Sequence, residues 1–161
     1  MHITFLLTSP HAAIVSKLKN EYPALGGNYD VIHHTQFLQE LIESGKIKIS
    51  DSNEWKGKTI TYHDSCYLGR ANNVYEAPRD LIQKLDAELV EMKRSRANGL
   101  CCGAGGAQMF KDAEPGNKEV NIERIEDALE TNPDIIATFN TAAAANASNG
   151  QPNPIVVIAS A

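Results

Sequence analysis

The sequence lacks the features that mark membrane, secreted and nucleic-acid-binding proteins. No apolar run approaches the ~18 residues that cross a bilayer. The short apolar stretch Ile3 to Leu7 has no cationic lead-in, so we expect neither a signal peptide nor direct membrane insertion. There is no long basic block, and the 161 residues carry a net charge of −5. This balance argues against nucleic acid as a partner.

Cysteine is scarce, with only three residues, and two of them are adjacent. An odd, clustered set does not form a secreted disulfide framework, whereas it suits a reducing cytosol in which cysteine serves metal binding or redox chemistry. We therefore expect a cytoplasmic protein. Cys101 and Cys102 precede a glycine-rich run, Gly103 to Gly106. One turn can thus offer a soft metal two thiolates, and the glycines let backbone N–H groups turn toward the sulfurs.

Alternating strand and helix patterns predict an α/β fold with a mostly parallel sheet. The predicted strands are Ile3–Leu7, Tyr29–His33, Ile47–Ile49, Lys58–Tyr62, Ala87–Met92, Ile135–Phe139 and Ile155–Ala159. The predicted helices are His11–Tyr22, one capped by Thr35 and ended by Gly45, Pro78–Leu85, and Asn117–Glu130. Strands that alternate with helices pair in parallel through crossover connections, which gives this fold class.

The predicted topology brings the cysteines together. Cys66 follows the end of one strand, and Cys101 and Cys102 lie in the loop after the next. Since ligands of open α/β sheets collect at the carboxyl ends of the strands, both cysteine loops are expected to converge at one sheet edge. The glycine-rich run is predicted to open a helix, whose first N–H groups would stabilise a thiolate.

Two segments resemble the signatures of the CCG (cysteine-rich) domain family. They are Tyr62–Arg70, with the sequence YHDSCYLGR, and Leu100–Gly106, with the sequence LCCGAGG. The stretches Val31–Gln36 and Asn121–Arg124 are also similar, and the resemblance covers roughly Leu18 to Phe139. The family includes one of the subunits of heterodisulfide reductase, the glycolate oxidase iron–sulfur subunit and Fe–S oxidoreductases of lactate utilisation.

The resemblance implies a [4Fe–4S] cluster, or zinc in some domains, held by Cys66, Cys101 and Cys102 with Gly103 beside them. It implies electron transfer as part of an Fe–S oxidoreductase complex rather than a complete enzyme. The implied partners are flavin or Fe–S redox subunits. Any association of the chain with a membrane is expected to be made through these partners. The family's closing Cys-Pro-x-Cys is expected after the strand that ends near Thr138, where this chain has the sequence NTAA.

A similar departure upstream suggests how the chain is divided. The sequence SPHA at positions 9–12 stands where a preceding unit would close with its own cysteines. Residues 1–22 are therefore predicted to be the trailing piece of one CCG unit, and residues 23–161 to be a CCG domain.

Two other functions remain open from the residues alone. His63 lies three positions before Cys66 and would complete a Cys₃His zinc site, the tetrahedral set that zinc prefers, in a structural or docking module. Alternatively, the vicinal pair Cys101–Cys102 would act as a metal-free dithiol. The glycine run matches neither a P-loop nor a dinucleotide fingerprint, so a nucleotide is not expected.

Polar residues near the cysteines are expected to support the site. Asp64 either orients the cysteine loop by accepting a hydrogen bond or is a simple turn residue. Arg70, Arg94 and Arg96 either form a positive rim or lie on a solvated face. Tyr67, beside Cys66, either shields the site from water or belongs to the core.

Overall fold

A parallel sheet with helices on both faces forms the core of the chain. The computed structural model describes residues 12–49, 54–112, 115–138 and 155–157. The strands are β1 (Thr59–His63), β2 (Glu88–Leu89), β3 (Ile135–Thr138) and β4 (Ile155–Val157). They form a sheet of order β2-β1-β3-β4 in which every neighbouring pair is parallel. The predicted α/β class is therefore confirmed.

The helices connect these strands and cover the sheet. They are α1 (Ala12–Asn20), α2 (His34–Glu43), α3 (Gly69–Asn72), α4 (Glu76–Gln83) and α5 (Val120–Leu129). Short 3₁₀ helices lie at Tyr22–Leu25, Arg96–Asn98 and Gly105–Phe110. The connection from β1 to β2 contains α3 and α4, and the one from β2 to β3 contains α5. Within the described ranges, no helix combines the length and apolarity needed to cross a membrane.

The alternation of side chains along β1 and β3 creates two packed faces. Ile60 and Tyr62 on one face of β1 pack with Ile135 and Ala137 of β3 and with Ile82 of α4, all of them buried. The register pairs Ile60 with Ile135 and Tyr62 with Ala137, so alternate residues of neighbouring strands share a face.

The opposite face of the sheet packs against α5. Ile136, which lies between Ile135 and Ala137, contacts Met92 and Ala128 in a second buried cluster. Burying such a side chain fully stabilises the fold by about 1.5–3 kcal/mol. Because both faces are covered, the polar groups at the ends of the strands are left as the place where a ligand can approach.

The predicted strand Tyr29–His33 is wrong, and a helix cap explains why. The side chain of His33 accepts a hydrogen bond from the backbone N–H of Thr35, and the side chain of Gln36 accepts one from the backbone N–H of His33. This capping box starts α2 at His34, so the cap is His33 rather than Thr35. The segment that was predicted to be a strand therefore leads directly into a helix.

Other predicted elements differ in extent. Residues Ile47–Ile49 form no strand, because the N–H groups of Lys46 and Ile47 return to the carbonyl of Leu41 at the end of α2. The strand predicted over Ala87–Met92 is reduced to Glu88–Leu89. The glycine-rich run opens a 3₁₀ helix rather than an α-helix. The predicted strand Ile3–Leu7 lies outside the described residues.

Candidate functional site

The two cysteine loops meet at the edge of the sheet where the parallel strands end. Cys66 lies just after β1, in a turn where Leu68 and Gly69 donate to the carbonyl of Ser65 at 3.1 and 2.8 Å. The loop after β2 contacts this turn, because the backbone N–H of Arg96 donates to Asp64 Oδ2 at 2.6 Å. The loop that leads to Cys101 is thus tied to the residues just before Cys66.

The three thiols share one electrostatic environment. Cys66 and Cys101 are half-buried, whereas Cys102 is buried. Burial raises the pKa of Cys102, and negative charge on Cys101 or Cys66 raises it further. Charge at Cys66 thus acts on Cys102 across the two loops, and the meeting of all three sulfurs at one site stays a prediction.

Backbone N–H groups point at the sulfurs. Gly103 donates to Cys101 Sγ at 3.4 Å. A backbone hydrogen bond from Ala104 acts in the same way on Cys102, where it partly offsets the effect of burial on the pKa. Hydrogen bonds of this kind stabilise thiolate and are a property of thiolate ligands in iron–sulfur sites.

Gly103 is required by its conformation and its close contacts. Its φ of +75° is in the region that glycine tolerates, and a Cβ there would lie 3.2 Å from Asn121 Cβ and 3.3 Å from Val120 Cγ1. The cysteine loop therefore rests directly on the first turn of α5. Any larger residue would push Cys101 and Cys102 away from that helix.

Asp64 joins the two cysteine loops through a buried ion pair. Its carboxylate accepts two hydrogen bonds from Arg79 of α4, both at 2.8 Å, in addition to the one from Arg96. Burial alone would raise the pKa of Asp64, but these hydrogen bonds and the charge of Arg79 lower it below its ordinary value. Of the two predicted roles, the structure supports the one in which Asp64 orients the loop.

Arg79 extends this network to the segment that follows β2. It also donates to the two carboxylate oxygens of Glu91 at 2.6 and 2.9 Å and to the carbonyl of Tyr75 at 2.7 Å, and its guanidinium lies over the ring of Tyr62. The roles of Arg79 and Glu91 are not evident from the sequence, because nothing in their spacing shows that α4 and the segment after β2 meet beside Asp64.

His63 is held by a buried arginine of α5. Arg124 Nε donates to His63 Nδ1 at 2.8 Å. Burial, and then the charge of Arg124, lower the pKa of His63 to about 3, so the imidazole is neutral. An arginine always donates, and Nδ1 therefore carries the lone pair and Nε2 carries the hydrogen. This tautomer presents an N–H rather than a lone pair, so zinc binding by His63 would require the bond to Arg124 to break.

The donors at this edge have the chemistry of thiolate ligands, because backbone N–H groups bond to Cys101 and Cys102 as they do to the ligands of iron–sulfur sites. Among the described residues, no group of three or more His, Cys, Asp or Glu side chains is arranged to hold one metal ion. The roles of Cys66, Cys101, Cys102, Gly103 and His63 as cofactor residues stay predictions.

Two of the three arginines of the predicted positive rim, Arg94 and Arg96, are paired with carboxylates, and the role of Arg70 stays a prediction. Arg94 pairs with Glu123 at 2.5 Å and with Asp127 at 3.4 Å, and Arg96 pairs with Glu76. Tyr67 is exposed, so it is not part of the core and does not fully shield the cysteine site from water.

The sequence of this region matches a known family. The pattern of the cysteine-rich domain, CCG, matches residues 60–157 and thus includes all three cysteines. The chain belongs to the cysteine-rich (CCG) domain family. The resemblance noted from the two signatures is thereby confirmed.

Several curated proteins share this CCG region. The chain is 46% identical over 130 residues to a probable iron–sulfur-binding oxidoreductase, FadF, of Bacillus subtilis, covering 80% of this chain and 18% of FadF. It is 39% identical over 139 residues to an EtfAB:quinone oxidoreductase of Syntrophomonas wolfei, covering 83% and 19%. It is 39% identical over 144 residues to one of the subunits of the dihydromethanophenazine:CoB–CoM heterodisulfide reductase of Methanosarcina barkeri, covering 83% and 32%. The chain thus spans only a fifth to a third of these relatives.

Proposed function

We propose that the chain is the cluster-binding module of an iron–sulfur oxidoreductase and that it holds a [4Fe–4S] cluster. The observation that carries this proposal is the meeting of two cysteine loops at the carboxyl edge of the sheet, with backbone N–H groups directed at the sulfurs. The names of the relatives, an iron–sulfur-binding oxidoreductase and two redox enzymes, support it.

Each residue of the site has a distinct task in this proposal. Cys66, Cys101 and Cys102 hold the cluster, and the N–H groups of Gly103 and Ala104 stabilise the sulfurs. When bound, the cluster supplies one-electron transfer. Asp64 fixes the distance between the two cysteine loops, so the loops rearrange less when the cluster binds.

The number of thiolates sets a condition on this proposal. A [4Fe–4S] cluster is usually held by four cysteines, and this chain has three. The expected closing pair falls on residues 140–143, outside the described residues. A further ligand would come from another segment of a longer protein. The strands β1, β3 and β4 are parallel, so their carboxyl ends lie at the same edge of the sheet, and a segment that follows β4 would begin at the edge where the cysteine loops lie.

The larger context is also a proposal. Electrons would pass between the cluster and flavin or Fe–S partner subunits, on the cytoplasmic side, with any membrane contact made through those partners. We also propose the division into residues 1–22, the end of a preceding CCG unit, and residues 23–161, one CCG domain.

Metal analysis of the 161-residue chain tests the proposal. The protein would be reconstituted anaerobically with iron and sulfide, and iron, sulfide and zinc would be measured per chain together with the visible spectrum. We expect stoichiometric sulfide and broad absorption near ~400 nm, as thiolate-ligated clusters give. Cys102→Ser is expected to lose both, whereas Tyr67→Phe, which changes an exposed neighbour of Cys66, is the matched control and should retain them.

The same measurements distinguish the alternatives. One zinc per chain without sulfide would contradict the cluster and would support a structural zinc site instead. A protein without metal, in which Cys101 and Cys102 titrate as a pair, would make the chain a dithiol redox module. Retention of a full cluster by Cys102→Ser would contradict the assignment of the ligands.

A further inference from the structure

The buried guanidinium of Arg124 has a donor group that no described residue accepts. Arg124 is only 3% exposed. Its Nε donates to His63, and its Nη1 donates to the carbonyl of Arg94 at 2.6 Å and to Asp127 Oδ2 at 2.9 Å. Nη2 is buried and has no hydrogen-bond partner among the described residues. Leaving a buried donor of a charged group unmatched is costly, so its retention calls for an acceptor that binds there.

The shape of the guanidinium indicates where Nη2 points. The group is planar, and Nη2 shares one edge of it with Nε. Nε faces His63 at the carboxyl end of β1, three residues before Cys66, and Nη2 lies on the same edge of the guanidinium.

The helix places the same group beside the other cysteine loop. Gly103 rests on Val120 and Asn121, four and three positions before Arg124 on α5. Residues with this spacing lie on one helix face, about one turn apart. Arg124 therefore contacts His63, which precedes the turn of Cys66, and lies about one helical turn from the residues that Gly103 meets.

The surrounding charges show what Arg124 contributes. Asp127 and Glu123 balance the positive charges of Arg94 and Arg124. An occupant of the site would therefore meet a directed N–H donor rather than an excess of positive charge. Sulfur ligands of iron–sulfur clusters are acceptors for such donors, and the number of these bonds is one of the factors that sets the reduction potential.

We propose that Arg124 is a positioning residue whose Nη2 group donates a hydrogen bond to an anionic sulfur atom held between the two cysteine loops. The sulfur is a bridging sulfide or a cysteine thiolate of the bound cluster, so this inference rests on the proposed function. The bond strengthens as negative charge on sulfur increases, and Arg124 thereby stabilises the reduced state relative to the oxidised state.

The decisive measurement is the midpoint potential of the reconstituted 161-residue protein. We expect Arg124→Gln to lower the ratio of reduced to oxidised cluster at a fixed potential about tenfold, equivalent to about −59 mV for a one-electron couple. Arg124→Lys keeps the charge but loses the flat fork of donors, and it should shift the potential in the same direction. Arg94→Gln is the matched control, because it removes an equal charge from the outer side of Asp127 without removing the Nη2 donor, and its potential should stay near wild type.

A second arm uses metal-free protein and identifies the acceptor. If the acceptor is a cysteine thiolate, Arg124→Gln will slow alkylation by iodoacetamide at neutral pH relative to Arg94→Gln, since the rate follows the thiolate fraction. If the acceptor is a bridging sulfide, the alkylation rates will agree and only the potential will change. If Arg124→Gln does not fold, as judged by circular dichroism, Arg124→Lys decides both arms.

Failure of this inference differs from failure of the proposed function. If the wild-type protein takes up no sulfide, the proposed cluster is contradicted. The alkylation experiment on metal-free protein would still test whether Arg124 donates to a cysteine thiolate. A wild-type cluster whose potential changes equally, or not at all, in the Arg124 and Arg94 variants would overturn the role of Arg124.

Discussion

Replacing Asp64 with asparagine tests whether one buried carboxylate joins the two cysteine loops. Oδ1 accepts from Arg79 Nη1, and Oδ2 accepts from Arg79 Nη2 and from the backbone N–H of Arg96. An asparagine amide has one acceptor oxygen and one NH₂ donor. In either orientation the NH₂ group faces at least one of these donors. The substitution therefore removes a charge and places donor against donor in a buried space.

The expected cost follows from the partners that remain. Removing one partner of a buried ion pair costs about 3–5 kcal/mol, and the lower end applies here because Glu91 continues to accept from Arg79. We expect Asp64→Asn to lower the free energy of unfolding by about 3 kcal/mol, which for a chain of this size lowers Tm by roughly 6–12 °C.

Urea unfolding at pH 7, followed by circular dichroism, measures this cost. Glu91→Gln is the control, because Glu91 contacts the same arginine through a side chain that is 35% exposed. Pairs open to solvent contribute little, so the control is expected to cost about 1 kcal/mol or less. Equal costs for the two variants, or a cost for Asp64→Asn below about 1 kcal/mol, would refute the argument that the buried carboxylate braces the loops.

The cost also depends on pH in a definite direction. Burial alone would raise the pKa of Asp64, but Arg79 and Arg96 lower it, so the folded protein keeps the carboxylate ionised to lower pH than the unfolded chain does. The stabilisation is therefore complete above the unfolded pKa, about 3.9, and is lost as pH falls through the folded value. The difference between wild type and Asp64→Asn should persist from pH 7 to 5 and shrink only below about pH 4.

Two further predictions concern the glycine turn and the cap of α2. Gly103→Ala is expected to cost about 1–2 kcal/mol and to reduce iron uptake, because its φ is positive and Asn121 is close, whereas Gly105→Ala, which meets no atom within 4 Å, should change neither. Burial, and then the charge of His34, lower the pKa of His33 to about 3. Between pH 6.5 and 3, His33 therefore binds a proton in the unfolded chain but not in the folded chain. Stability should therefore fall by about 1 kcal/mol between pH 7 and 5.5, and His33→Asn, which keeps a capping acceptor, should abolish that part of the slope in urea titrations. A slope unchanged in His33→Asn would show that His33 is not the group responsible.

The sequence pattern was sufficient for the elements whose periodicity matches their burial. Lys58–Tyr62 and Ile135–Phe139 predicted β1 and β3 to within one residue, because β-branched residues are frequent in both strands and nearly all of their residues are buried. The prediction failed at Tyr29–His33, where the capping box formed by His33 and Gln36 begins a helix and outweighs the strand preference of Val31 and Ile32. Local hydrogen bonds of a helix start compete with strand patterns of this length.

The cysteines of the candidate site were evident from the sequence, whereas the groups that hold them in place were not. Adjacent cysteines, glycine spacing and the order of strands predict that Cys66, Cys101 and Cys102 reach one sheet edge, because all carboxyl ends of a parallel sheet lie on one side. Only the tertiary structure showed that Arg79 braces Asp64 and that Arg124 fixes the tautomer of His63. These arginines are distant in sequence from their partners, so burial and ion pairing, which depend on how helices pack on the sheet, decided their roles.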